Sequence, residues 1–160
     1  MIWKVNGPGG SIDSDPLIKE GVVYIGSGDW HIYAINAENG KGIWRFKTSG
    51  YVGTMRPRIA KSLLFAVSFD GYVYCLDKDD GKLVWRFKTG KDIMSSPVYH
   101  EERLYVSSKD GYLYCLNLEG KEIWRFKTGE WCVSTPTVNE GRIYIGSSEG
   151  IFYCISLEGK

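Results

Sequence analysis

The chain has 160 residues, a formal net charge of +1 at pH 7, and a composition that is 43% hydrophobic and 14% aromatic. These values exclude disordered and collagen-like classes, and they allow one domain with a sizeable apolar core. No apolar stretch reaches the roughly 18 residues of a membrane span, and the N-terminal sequence MIWKVNGPGGSIDSD has no basic region followed by an apolar one. We therefore expect a cytoplasmic protein with no membrane contact, and the near-zero charge gives no reason to expect a nucleic-acid partner.

One phrase recurs along the chain. It reads IWKVN at Ile2–Asn6, IWRFKT at Ile43–Thr48, VWRFKT at Val84–Thr89 and IWRFKT at Ile123–Thr128. Its tryptophans are spaced by 41, 41 and 39 residues. This period predicts four repeats in a single propeller or half-propeller domain, with boundaries at about 3–43, 44–84, 85–123, and 124–160 plus 1–2.

Each repeat predicts the same series of strands in chain order. The tryptophan strand is followed by a glycine-containing loop and a short run with a proline, as in SDPLIK or SSPVYH. An alternating strand such as VVYIGS comes next, then a tight turn that is mostly Asp-Gly or Glu-Gly, then a strand such as YVYCLD. A charged turn such as DKDDGK leads to the next tryptophan. Four short antiparallel strands in about 40 residues are typical of a β-propeller blade, and no segment has helical periodicity.

The first phrase predicts how the last repeat is completed. If the tryptophan strand is the outermost strand of the preceding blade, the blade that ends at SLEGK lacks its fourth strand. Residues Ile2–Asn6 can supply it, and pairing would cover an otherwise exposed sheet edge. We therefore expect the N-terminal strand to close the last blade.

The segments AINAENGKGIW (Ala34–Trp44) and CLDKDDGKLVW (Cys75–Trp85) closely resemble the tryptophan-docking repeat of quinoprotein-type propellers. That family includes dehydrogenases that use pyrroloquinoline quinone (PQQ) and non-catalytic relatives such as outer-membrane assembly lipoproteins. The resemblance implies that each tryptophan packs on the neighbouring blade beside a turn glycine. The structural docking residues are then Trp3, Trp44, Trp85 and Trp124.

The number of blades per ring is left open by the sequence. Propellers of the family generally have seven or eight blades, whereas this chain encodes four. Bulky aromatic residues between blades suit the shallower angle of an eight-bladed ring, so we expect a homodimer in which two chains complete eight blades. A self-closed four-bladed monomer and a fragment of a longer or engineered protein are the alternatives.

Nothing in the sequence predicts catalysis, a cofactor or a metal site. The resemblance implies that a PQQ enzyme would need a calcium site, a catalytic aspartate and, in several members, adjacent cysteines. No cysteine pair is adjacent, and the acidic turn Asp77–Gly81 is the ordinary charged turn of the repeat. Cys75, Cys115 and Cys154 share one repeat slot with Ala34, which favours small buried residues over a disulfide or a metal site.

The loops that precede each proline form a candidate binding face together with the turns between the second and third strands. Trp30 stands where the other repeats have Gly71, Gly111 and Gly150, and glycine is favoured there if φ is positive. A residue that breaks a local rule indicates function, although Trp30 and Trp131 could instead fold over and plug the channel mouth. The candidate partner-binding residues are Trp30, His31, Tyr51, Met55, Arg56, Ile93, Met94 and Trp131.

The positions next to the prolines also differ between repeats. Asp15, Arg56 and Arg58 are channel candidates that could hold a small ion or polar ligand, and mutual pairing is their simplest role. Taken together, the sequence predicts an all-β, non-enzymatic scaffold that binds a protein or peptide through its apolar loop face. The alternatives are a PQQ-dependent or small-ligand-binding propeller, and an assembly unit with no specific ligand.

Overall fold

Fifteen β-strands make up the regular structure of the chain in a computed structural model that describes residues 1–5, 9–53 and 55–160. Within these ranges the chain contains no helix, so no helix is long and apolar enough to cross a membrane. The strands form four antiparallel sheets, which correspond to the expected blades.

Each of the first three blades is a meander of four strands, and the fourth blade has three. Blade 1 contains β1 (Leu17–Lys19), β2 (Val22–Gly26), β3 (His31–Asn36) and β4 (Gly42–Lys47). Blade 2 contains β5 (Arg58–Ala60), β6 (Leu63–Val67), β7 (Tyr72–Asp77) and β8 (Leu83–Lys88). Blade 3 contains β9 (Val98–His100), β10 (Arg103–Ser108), β11 (Tyr112–Asn117) and β12 (Glu122–Lys127). Blade 4 contains β13 (Thr137–Asn139), β14 (Arg142–Gly146) and β15 (Phe152–Ser156).

The recurring tryptophan lies on the fourth strand, opposite a small residue of the third strand. Cys75 pairs with Trp85 in blade 2, and Cys115 pairs with Trp124 in blade 3. The register shifts immediately after each cysteine, so the fourth strand carries a bulge at the same place in both blades. A small side chain at this slot leaves room for the indole, and both thiols are fully buried.

The apolar core consists of three clusters, each formed between two consecutive blades. Ile32 of blade 1 packs with Leu64 of blade 2, and Val73 of blade 2 packs with Leu104 of blade 3. Leu113 of blade 3 packs in the same way with blade 4. The first strands of blades 2, 3 and 4 approach each other directly, since β9 contacts both β5 and β13. These first strands therefore form the inner wall, and the fourth strands lie outside.

Every tryptophan of the repeat contacts the charged turn of the following blade. The Nε1 group of Trp85 donates a hydrogen bond to the Leu118 carbonyl at 2.7 Å. A Cβ atom built on Gly120 would lie 2.5 Å from Cδ2 of that indole, so only glycine leaves the ring enough space. The same donor and acceptor positions are used by the pairs Trp3–Ala37, Trp44–Lys78 and Trp124–Leu157, at 2.9, 3.0 and 3.0 Å.

The N-terminal segment does not form the strand expected from the sequence. Residues 1–5 contain no strand, and β15 pairs with β14 alone among the described residues. Asn6, the last residue of the predicted strand, lies outside the described ranges. The Trp3 indole already lies on blade 1, because it donates to the Ala37 carbonyl and packs against Gly40. Among the residues that the structure describes, none pairs with the outer edge of β15 in the single chain.

Candidate functional site

The loop face is the end of the blades formed by residues 9–16, 48–53, 55–57, 89–97 and 128–136 and by the turns between the second and third strands. Asp70, in the turn of blade 2, accepts hydrogen bonds from the backbone of Ser49 at 2.9 Å and from the Tyr74 hydroxyl at 2.6 Å. Asp110 makes the equivalent bonds with Gly90 and Tyr114 in blade 3. Each aspartate thus ties a loop to the turn beside it, so hydrogen bonds hold these two parts of the loop face in place.

Trp30 occupies its turn with φ of 71°, close to the 76° of Gly71 and the 83° of Gly111. For a residue with a side chain, this left-handed conformation costs roughly 1–2 kcal/mol of conformational free energy. The Trp30 carbonyl accepts bonds from both the backbone N–H and the hydroxyl of Thr48, each at 2.8 Å. These bonds hold the strained backbone while the indole remains 49% exposed.

Trp131 presents a second indole on the same face, in the loop that leads to blade 4. Its side chain is 52% exposed, whereas the adjacent Cys132 is fully buried. The Trp131 carbonyl accepts bonds from the backbone N–H and the hydroxyl of Ser148, at 3.2 and 3.1 Å. The loop is therefore anchored through its backbone, and the indole is left available.

Tyr51 lies in a polar cluster that joins blades 1 and 2. Its ring packs on Phe69 with centroids 5.2 Å apart, and its hydroxyl donates a short hydrogen bond to the Asp13 carboxylate. The Ser11 hydroxyl donates to the same carboxylate at 2.7 Å. Bonds from Tyr51 and then Ser11 lower the pKa of Asp13, so this carboxylate stays charged at neutral pH. Sequence reasoning missed Ser11, which has no distinguishing pattern around it.

Not all the predicted partner-binding residues reach the surface. Met55 and Ile93 are 3% and 0% exposed, because their loops fold into the cluster between blades 2 and 3. Met94 is half-buried, and Arg56 is exposed. His31 is half-buried, with Nδ1 3.0 Å from the Asp29 carbonyl. Trp30, Arg56 and Trp131 are the exposed candidates on the loop face, and Tyr51 is half-buried like Met94 and His31.

The three channel candidates do not pair with one another. Asp15 and Arg56 are exposed and Arg58 is half-buried, next to or within the first strands of blades 1 and 2. Over the described part of the chain, the ion pairs within 4.0 Å include none that joins Asp15 to either arginine. The mutual pairing expected from the sequence is therefore not formed; burial and then the positive charge of Arg56 lower the pKa of Arg58 instead.

The positions of the thiols and acidic residues bear on the possible metal and thiol chemistry of the described chain. The described residues contain no group of three or more histidine, cysteine or carboxylate side chains placed to hold a metal ion. All four cysteines are free. Burial raises the pKa of Cys75 to about 12 and that of Cys115 to about 11, so neither is a thiolate at neutral pH.

The blades lie side by side, and the tryptophan of each repeat packs on the charged turn of the next blade. This arrangement defines a β-propeller of PQQ-type repeats. The sequence profile of the family described as "Outer membrane protein assembly factor BamB" matches residues 1–91 and 69–160. The chain belongs to this family. A comparison of the chain with curated proteins found no match.

Solved structures support the same fold. BamB from Moraxella catarrhalis superposes with a TM-score of 0.83 at 21% identity, over 93% of this chain and 48% of the other. The computationally designed Ika4 protein superposes with a TM-score of 0.85 at 11% identity, over 98% of this chain and 97% of the other. A europium-containing methanol dehydrogenase gives 0.65 at 18% identity, over 74% and 25% of the two chains. The chain thus spans about half the length of the Moraxella BamB chain.

Proposed function

We propose that this protein is a non-enzymatic propeller scaffold that binds a protein or peptide through its loop face. One observation carries the proposal: Trp30 and Trp131 are about half exposed on backbone that hydrogen bonds hold in place. Tryptophan, tyrosine and arginine are the residues that contribute most to binding at protein interfaces, and all three types lie on this face. A rigid backbone also reduces the conformational entropy that binding costs.

Membership of the BamB family supports a role in protein interaction, because that family is described as an outer membrane protein assembly factor. One observation favours the dehydrogenase alternative, namely the structural similarity to a methanol dehydrogenase. Because the two sequences are 18% identical, this similarity supports a shared fold and carries no argument about activity. If the enzyme alternative were right, calcium with PQQ would raise the melting temperature and allow dye reduction with an alcohol. The cytoplasmic location stays a prediction.

The proposed face can be tested by selecting peptides from a display library on the wild-type protein. We expect enriched peptides to lose at least tenfold in affinity for Trp30→Ala and for Trp131→Ala. Val84→Ala is the matched control, since Val84 is 53% exposed but lies on the outer strand β8. Peptides that bind all three variants equally well would contradict the loop face. An absence of enriched peptides would favour an assembly unit with no specific ligand.

We further propose that two copies of the chain complete an eight-bladed ring. The outward face of β15 supports this proposal. Phe152 is 73% exposed, whereas Ile32, Val73 and Leu113, which hold the same slot in blades 1, 2 and 3, are all 0% exposed. Cys154 is exposed, although its equivalents Cys75 and Cys115 are buried. Blade 4 therefore presents the apolar face that the other blades cover with their successor.

Blade 1 presents the complementary face. Val23 and Ile25 are half-buried, whereas the residues at the same slots of blades 2 and 4, Leu64 and Ile145, are 0% and 1% exposed. Contact between blade 4 of one copy and blade 1 of another would therefore repeat the packing of the three internal junctions.

The N-terminal segment supports the same arrangement. The Trp3 indole is bound to blade 1 of its own chain, while Ile2 is 94% exposed and unpaired. At the internal junctions, the strand that carries such an indole pairs with the third strand of the preceding blade. Residues 2–5 are thus placed to pair with β15 of the neighbouring copy, with Trp3 opposite Cys154. In the superposition, 93% of this chain covers 48% of a BamB chain, which is also consistent with this chain forming half of a larger ring.

Absolute mass in solution, measured by light scattering over a range of concentrations, tests the two-chain ring. We expect about 36 kDa, twice the 18.1 kDa of the chain. Phe152→Asp should return the mass to that of one chain, because a charge would be buried in the junction. Val84→Asp, which places the same charge on the outer strand, is the control and should leave the dimer intact. A stable single-chain mass for the wild type would instead favour a self-closed ring.

A further inference from the structure

The residues that precede the prolines form a hydrogen-bonded row along the inner wall. The hydroxyl of Ser96, before the first strand of blade 3, accepts the backbone N–H of Arg56 at 3.0 Å. The hydroxyl of Thr135, before the first strand of blade 4, accepts the backbone N–H of Ser96 at 3.1 Å. At this position, blades 3 and 4 thus each use a side-chain oxygen to bind the backbone of the blade before it. The row brings Arg56, Ser96 and Thr135 side by side.

Blade 2 breaks this pattern. Its residue at the row position is Arg56, and a guanidinium group has no acceptor atom. Arg56 therefore cannot accept the backbone N–H of Asp15 as Ser96 and Thr135 do for their neighbours. A residue that interrupts a structural pattern without replacing its hydrogen bond indicates a role outside folding.

A second cation lies next to the first. Arg58 follows two positions later on β5, where the other blades have Leu17, Val98 and Thr137. Alternate residues of an extended chain point to the same side, so Arg56 and Arg58 share the inner wall while Pro57 is buried behind them. Burial lowers the pKa of Arg58, and the neighbouring charge of Arg56 lowers it further.

The charges of these two arginines are not balanced by a carboxylate. Elsewhere in the chain, Arg103 pairs with Glu158 at 3.1 Å and Arg125 pairs with Glu122 at 3.0 Å. Among the described residues, no ion pair within 4.0 Å involves Arg56 or Arg58. Two neighbouring like charges, one of them on a half-buried residue, repel each other, and a bound anion would relieve that repulsion.

We propose that Arg56 and Arg58, together with the hydroxyl of Ser96, form a binding site for a small oxyanion, either a phosphate or a carboxylate group. Guanidinium groups bind such planar or tetrahedral oxyanions through paired N–H donors. The oxygen of Ser96 accepts the Arg56 backbone bond, which leaves its own proton to donate to the ligand. The site belongs to blades 2 and 3 of one chain. It is therefore separate from the loop-face indoles and needs no second copy.

The test is a titration of the ¹⁵N-labelled protein with sodium phosphate at pH 7, with ionic strength held constant by sodium chloride. We expect the side-chain Nε–Hε signals of Arg56 and Arg58 to shift saturably. The signal of Arg142, an exposed arginine on β14, should not follow them. A parallel titration with sodium acetate distinguishes the two ligand classes. Saturable binding of phosphate alone assigns the site to phosphate groups, and saturable binding of acetate assigns it to carboxylates.

Variants identify the residues that hold the anion. Arg58→Gln should weaken binding at least tenfold, and the exposed Arg56→Gln, which leaves the core untouched, should weaken it severalfold. Arg142→Gln is the matched control and should bind as the wild type does. Equal affinity in the Arg56→Gln and Arg142→Gln proteins would overturn the proposal. So would a shift that stays linear in phosphate for all the arginine signals, because general screening would then explain it. Neither result would bear on the exposed indoles of Trp30 and Trp131, which the peptide selection tests separately.

Discussion

Replacement of Trp85 by alanine tests the contact that recurs at every junction between blades. The Trp85 indole packs on Phe65 with ring centroids 5.9 Å apart, and it donates to the Leu118 carbonyl at 2.7 Å. A tryptophan that buries roughly 150 Å² of apolar surface contributes about 4 kcal/mol at about 25 cal/mol per Å². Loss of the hydrogen bond adds about 1 kcal/mol, while the partial exposure of the ring reduces the total. We therefore expect the free energy of unfolding to fall by about 3–5 kcal/mol.

Urea unfolding, followed by circular dichroism at a fixed protein concentration, measures this change. For a chain of this size the melting temperature should also fall by roughly 6–20 °C. Trp131→Ala is the matched control, because it removes the same side chain from an exposed position and should change stability by about 0.5 kcal/mol or less. The reasoning would be refuted if the two variants lost equal stability, or if Trp85→Ala lost less than about 1 kcal/mol.

Three further predictions use other features of the repeat. Gly120→Ala should lower the free energy of unfolding by about 3 kcal/mol, because the residue has φ of 77° and a Cβ would lie 2.5 Å from the Trp85 ring. Gly141→Ala is its control, with φ of 73° and no atom within 4 Å of a Cβ, and should cost about 1 kcal/mol by urea unfolding. At pH 8, iodoacetamide should alkylate Cys154 quickly and Cys75 slowly, and the fast reaction should disappear as concentration rises if two chains cover β15. Burial and the bond to Asp29 raise the pKa of Tyr33 to about 12, above its ordinary 10.0. Its contribution to stability is therefore complete below pH 10 and lost as pH rises towards 12, and tyrosinate absorbance that appears for Tyr33 at pH 10 would contradict this burial.

The repeat pattern was sufficient to predict the fold. The alternation of VVYIGS and YVYCLD and the tight turns between such strands specify antiparallel pairing locally, so the four-stranded meanders follow from short-range chemistry. The positive φ of Trp30 was also predictable, because three other repeats have glycine at that slot. The burial of Met55 and Ile93 was not, since a loop carries no periodicity from which the direction of its side chains can be read.

The sequence by itself determined the number of units, the strands within each unit and the residues at each equivalent slot. Only the tertiary structure decided which equivalent residues differ in environment. Phe152 and Val73 occupy the same slot, yet one is 73% exposed and the other is buried, because Val73 is covered by blade 3 and no described residue takes that place on blade 4. The sequence did not indicate that Arg56 and Arg58 form no ion pair among the described residues. An ion pair depends on distances between blades and not on spacing along the chain. Local patterns specify a blade, whereas the burial and charge balance of each residue depend on the blades that surround it.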